Sequence, residues 1–193
     1  MKCKLIFLLL TCLYLARVDA QINFNRVDTT MKIAGAGYKV SCRNKSINDN
    51  QLQIHPIGFD TEVHDLNFPF KGRVSGCMVD DLNADGWPDL VLFIYTDSAA
   101  QHGTVYALIS DGNKLAMPLC ILPDAVTNIK INKGYKGGDQ FSMLEGKLLQ
   151  KFPIYKDGDE KNKPTGGHRM VMYNLGKNEG HYTFIQERSF DTQ

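Results

Sequence analysis

Residues 79–93 read VDDLNADGWPDLVLF, a dense run of oxygen-bearing side chains delivered straight into an apolar segment. Asp81, Asn83 and Asp85 alternate, Gly86 follows and Asp89 closes the loop, so four side chains are able to turn oxygens inward around one point. Such spacing suits a hard cation. Calcium takes six to eight oxygens at roughly 2.3–2.6 Å, and Gly86 permits the sharp turn that lets the Trp87 carbonyl join the side chains. The candidate ligand set is therefore Asp81, Asn83, Asp85, Trp87 and Asp89, and the candidate cofactor is a structural calcium ion. An EF-hand is excluded, because its twelfth position requires a glutamate and that position here is Leu92, inside the apolar run. The same residues also suit an Asx-rich turn in which carboxylates cap backbone N–H groups and no metal is bound. In either reading residues 90–95, LVLFIY, form a core strand.

Outward from this stretch the pattern stays β-like. Residues 73–78 enter the loop, and 104–110 and 114–122 follow as strands around the Ser110-Asp111-Gly112-Asn113 turn. Upstream, 38–43 and 51–55 are short strands on either side of NKSINDN, residues 21–30 are expected to fray or to form an edge, and order is expected to begin near Lys32. Residues 58–70 read as irregular, with Pro69 arguing against a central strand. Downstream, 140–145, 147–153, 169–175 and 181–188 are strands, the last two joined as a hairpin by GKNEG. Short strands at intervals of roughly 8 to 12 residues, with no helical stripe, predict a single all-β domain, an antiparallel β-sandwich or barrel-like sheet. The Asp-rich loop resembles the D-x-N-x-D-G-x-x-D loop of calcium-binding β repeats of the FG-GAP and dockerin-like kind. A propeller needs several such blades and the motif occurs once, which argues against one.

The opening MKCKLIFLLLTCLYLARVDAQ has each part of a secretory signal: Lys2 and Lys4, an apolar run over residues 5–15, and the small residues Val18 and Ala20 before Gln21. The run is too short to span a bilayer. Residues 1–20 are expected to be removed, leaving residues 21–193 as one exported domain, periplasmic or secreted. The loss of Lys2, Lys4, Arg17 and Asp19 moves the formal net charge from +1 to −1. No basic footprint for nucleic acid survives. Of the five cysteines, Cys42, Cys77 and Cys120 remain, and an oxidising compartment predicts one disulfide and one leftover thiol, with the pairing open.

Catalysis finds no support in the motifs. His55, His64, His102, His168 and His181 form no metal-ligand spacing, Ser75 and Ser98 lack a nucleophile-elbow context, and Gly166-Gly167 follows no phosphate-binding turn. A non-enzymatic binding function is the expectation. Trp87, Tyr135 and Tyr155 are candidates for stacking on a sugar ring.

From Val79 onward the chain resembles the periplasmic inhibitors of invertebrate-type (I-type) lysozymes of Gram-negative bacteria. The resemblance rests on DLNADGWPDLVLF, on His102-Gly103-Thr104, and on residues 134–175, where E-G-x-L, F-P-x-Y, G-D and P-T-G-G-x-R follow in series. It covers roughly residues 79–188 and implies a β-rich fold whose protruding loop enters a lysozyme cleft and blocks its catalytic carboxylates. In that family the loop carries Ser-Gly-x-Tyr; here the corresponding residues are Ala99, Ala100, Gln101 and His102. A methyl replaces the serine hydroxyl and an imidazole replaces the tyrosine, with Ser98 one residue away and His102 still able to donate one hydrogen bond. The expected target-binding loop is Asp97, Ser98, Ala99, Ala100, Gln101 and His102, and the expected partner an I-type lysozyme or related muramidase. The other reading is an envelope carbohydrate- or protein-binding module that keeps the fold without the inhibition.

Overall fold

The structure, a computed structural model, describes residues 25–60, 64–96, 99 and 101–193. Residues 1–20, read above as a secretory signal, lie outside the described residues. Every described element is a β-strand.

The strands make three consecutive antiparallel meanders of four. In the first, β1 (Val27–Ile33), β2 (Ala36–Cys42), β3 (Asn50–Ile57) and β4 (Leu66–Phe70) lie side by side in chain order. The second runs β5 (Arg73–Asp80), β6 (Asp89–Tyr95), β7 (Gly103–Ser110) and β8 (Leu115–Ile121). The third contains β9 (Gln140–Leu144), β10 (Lys147–Pro153), β11 (His168–Asn178) and β12 (His181–Thr192). Tight turns join β9 to β10 at Glu145-Gly146 and β11 to β12 at Glu179-Gly180, each with positive φ at both central residues.

The apolar run of β6 decides how these sheets meet. Successive side chains of a strand point to opposite faces, and a strand buried on both faces reads as continuous apolar sequence. Leu90, Leu92 and Ile94 pack with Tyr38, Val40, Leu52 and Ile54 of the first sheet. Val91 points the other way, with Val105, Ala107 and Ile109, and packs with Leu148, Phe152, Val171 and Tyr173 of the third. The middle sheet is therefore the centre of a three-layer stack with two cores, where two layers would have left one face of β6 in water.

The all-β, antiparallel expectation holds, with three sheets in place of two. The repeat is one of topology and not of sequence: only the middle meander carries the Asp-rich loop, so counting that motif did not reveal the others. Two local expectations are corrected. Among the described residues strand structure starts at Val27, ahead of Lys32, because β1 pairs along β2 from Val27–Cys42 to Ile33–Ala36 and forms the edge of its sheet. Leu66–Phe70 is a strand despite Pro69, which sits opposite Gln51 on the outer edge of its sheet, where a missing N–H costs no ladder bond.

Burial on both faces of β6 is testable by substitution. Leu92→Ala is expected to cost about 2–5 kcal/mol by leaving a cavity in the first core. Val91→Asn, one residue away on the opposite face, is expected to cost at least about 2 kcal/mol by burying an unpaired amide in the second core. Urea titration of both variants checks this, and a near-neutral result at either position contradicts the three-layer packing.

Candidate functional site

The Asp-rich loop sits at the entry to β6 and closes on its own backbone. Asp81 accepts the Asp85 and Gly86 N–H groups at 3.0 and 2.9 Å, and Asp85 accepts the Trp87 N–H at 2.8 Å. Asp89, with no exposed surface, accepts from the Leu82 N–H at 2.8 Å and from the Ser110 N–H and hydroxyl at 2.7 and 3.1 Å. The loop also ties the layers together. The Tyr38 hydroxyl from the first sheet donates to the Pro88 carbonyl at 2.9 Å, the Gly112 N–H of the β7–β8 turn donates to Asp85 at 2.8 Å, and Asn83 Nδ2 reaches the Tyr182 hydroxyl of the third sheet at 3.3 Å.

The structure brings Asp81, Asn83 and Asp85 into one hydrogen-bonded loop, with Asp89 bonded apart from them to Leu82 and Ser110. Their bonding is that of the self-closed Asx-rich turn: each carboxylate is engaged by N–H donors, and the Asn83 amide faces Asp85 at 3.0 Å with its NH2 group. A carboxylate offers about four lone-pair sites, so single donors do not exhaust it. Among the described residues no group of three or more His, Cys, Asp or Glu side chains is disposed to hold a metal ion.

At the far end of β6 a second buried carboxylate organises the other candidate site. Asp139, 1% exposed, accepts the Gly103 N–H at 2.8 Å, the Tyr135 hydroxyl at 2.6 Å and Gln150 Nε2 at 2.8 Å. Gln150 in turn accepts the Tyr173 hydroxyl at 2.8 Å, and the Tyr95 hydroxyl donates to the Asp139 carbonyl at 2.6 Å. These bonds fasten the base of the β6–β7 loop to the third sheet. The Gln101 carbonyl accepts the Gly138 and Asp139 N–H groups at 2.6 and 3.2 Å, and Thr96 N–H donates to the His102 carbonyl at 3.0 Å. The His102 ring stands edge-on to Tyr135, 5.9 Å between centroids, and Tyr135 packs edge-on against Phe152 at 4.8 Å. The approach is close: a Cβ on Gly103 would lie 2.5 Å from the Phe141 ring and 3.1 Å from the Tyr95 ring.

Of the expected target-binding loop, Asp97, Ser98 and Ala100 lie outside the described residues, Ala99 is exposed, and Gln101 and His102 form the clamped base. Sequence reading missed Asp139 as the residue that holds this base, although its place at the end of GYKGGD, between two glycines and an apolar strand, marked it as a carboxylate entering a core. Of the three candidate aromatics, Tyr135 and Tyr155 line one groove and Trp87 stays in the Asp-rich loop. The disulfide expectation is corrected: Cys42, Cys77 and Cys120 are all free thiols. Cys42 and Cys77 belong to the first core and Cys120 to the second, on the other side of the middle sheet. Asn44, the first residue of NKSINDN, is 5% exposed and donates its amide to the Asn25 and Val74 carbonyls.

Compared with known proteins, the chain matches no family model, no curated protein and no solved structure.

Burial raises the Asp89 carboxyl from 3.8 to about 7, with the Asp85 charge adding to the rise and the Ser110 and Leu82 hydrogen bonds opposing it. Burial raises Asp139 as well, against its hydrogen bonds from Gly103, Tyr135 and Gln150 and the nearby His102. A carboxyl whose pKa rises on folding holds its proton more tightly in the native state. Its stabilisation is complete below the unfolded pKa and is lost as pH climbs through the folded one. In chelator, the melting temperature should therefore fall between about pH 4 and pH 7, and Asp89→Asn should remove much of a slope worth on the order of 4 kcal/mol. Thermal melts by circular dichroism check this. Calcium in the loop would hold Asp89 ionised, so a slope abolished by added calcium establishes the metal reading, and a slope indifferent to calcium establishes the self-closed loop.

Proposed function

We propose that the protein is an exported, non-catalytic inhibitor that lays the β6–β7 loop into the active-site cleft of an I-type lysozyme or related muramidase. One observation carries the reading: the base of that loop, Gln101 to Gly103, is clamped to the buried Asp139 and to the Gly138 N–H. A loop held at its base loses less conformational entropy when a partner closes over it, and that favours tight binding. The residues that make the clamp, Tyr135, Asp139 and Gln150, fall inside the stretch of residues 134–175 that resembles the inhibitor family. A mature chain of formal charge −1 also suits a cationic enzyme. Calcium in the Asp81–Asp89 loop is an accessory to this reading, since that loop lies at the opposite end of β6 and is already closed by its own amides.

Inhibition assays with residues 21–193 against I-type, chicken-type and goose-type lysozymes test the proposal. The expected result is loss of muramidase activity of the I-type enzyme, with binding abolished when residues 97–100 are replaced by glycine and serine at unchanged length. Gly103→Ala should weaken inhibition by about tenfold or more while the protein remains folded, because its methyl displaces the loop base from Phe141 and Tyr95. Absence of binding to all three enzymes sinks the inhibitor reading.

A further inference from the structure

Beside the clamped loop, across Tyr135, runs a groove that lysozyme binding leaves without a role. It has a volume of about 760 Å³, within the roughly 300–1,000 Å³ typical of small-molecule sites. Its floor is preformed. The Tyr155 N–H donates to the Gly134 carbonyl at 2.8 Å, the Ile154 N–H to the Gly167 carbonyl at 2.9 Å, and the Gly166 N–H to the Ile154 carbonyl at 2.9 Å, so the three segments lining the groove are bonded to one another. Asp159 closes the adjoining loop by accepting the Lys156 and Thr165 N–H groups at 2.7 and 2.9 Å.

The charge of the groove runs against that of the mature chain. Arg169 and Asp191 neutralise each other through paired hydrogen bonds of 2.7 and 2.8 Å. What remains on the lining is Lys133, Lys136 and Lys156 against Asp157, with Asp159 behind them engaged in the loop closure. Lys136 Nζ stands 4.9 Å from the centre of the Tyr155 ring, so a cation and an aromatic face share one wall. Such a surface draws anions.

We propose that this groove binds an anionic sugar, with the ring against the Tyr155 and Lys136 wall and its carboxylate or sulfate group held by Lys133, Lys136 and Lys156. Tyrosine faces suit the apolar face of a sugar ring, the lysines supply the charge, and Asp157 and the exposed backbone supply acceptors for hydroxyls. The site is separate from the inhibitory loop and does not depend on lysozyme inhibition.

Calorimetric titration of residues 21–193 at low salt tests it with four probes: a glucuronate-containing tetrasaccharide, a sulfated oligosaccharide, a neutral oligosaccharide of equal length and inorganic sulfate. The expected result is saturable binding of at least one acidic oligosaccharide, about tenfold or more tighter than the neutral sugar and inorganic sulfate. Which acidic probe binds identifies the anionic group. The triple substitution Lys133→Ala, Lys136→Ala, Lys156→Ala should weaken that binding at least about tenfold with an unchanged melting temperature, since all three side chains are exposed. Tyr155→Leu should weaken the sugar without altering any response to inorganic sulfate. The proposal is overturned if neither acidic sugar saturates, if the triple variant binds as well as wild type, or if inorganic sulfate binds as tightly as the sugars. Lysozyme inhibition by the triple variant, measured alongside, separates failure of this site from failure of the inhibitory loop.

Discussion

Strand β6 has to bury both of its faces, and the rest of the molecule follows from that requirement. Leu90, Leu92 and Ile94 need one apolar partner and Val91 another, so a sheet is required on each side of the middle one. The hydrophobic effect is non-directional and fixes only that these faces leave water. Each layer is an antiparallel meander of strands consecutive in the chain, so a sheet can form from neighbouring chain before it docks onto the others.

Polar groups have to be satisfied where such a stack ends, and two buried carboxylates do this at the two ends of β6. Asp89 takes donors from Leu82 and Ser110; Asp139 takes donors from Gly103, Tyr135 and Gln150. Among the described residues neither forms a salt bridge, and N–H and O–H donors offset the cost of leaving water. Both have raised pKa values for the same reason. The two sites differ in what they hold. Asp89 fixes a loop that fastens layers to one another, whereas Asp139 fixes a loop base beside an open groove.

The open surfaces gather at the Asp139 end of β6. The β6–β7 loop and the lysine-lined groove are neighbours across Tyr135, whose hydroxyl is spent on Asp139 while its ring packs against His102 and Phe152. Asp139 thereby holds the loop base directly and reaches the groove through Tyr135 alone. A rigid base suits insertion into a cleft, and a preformed cationic floor suits a small anionic ligand.

The sequence by itself determined that the chain is all-β, where most strands lie, that residues 81–89 form an Asp-rich loop and that LVLFIY belongs in a core. Period-two patterning, turn chemistry and Asx side chains act within a few residues of one another, so these features are readable locally. The continuous apolar run of β6 also held the sign of three layers, since a two-layer sheet would have alternated. Only the tertiary structure decided which sheet covers each face, that Cys120 lies across the middle sheet from Cys42 and Cys77, and that Asp139 clamps the Gln101–Gly103 base. Those outcomes depend on contacts between residues tens of positions apart, such as Asp139 with Gly103 and Tyr95, and no local pattern encodes a hydrogen bond between two loops of different sheets.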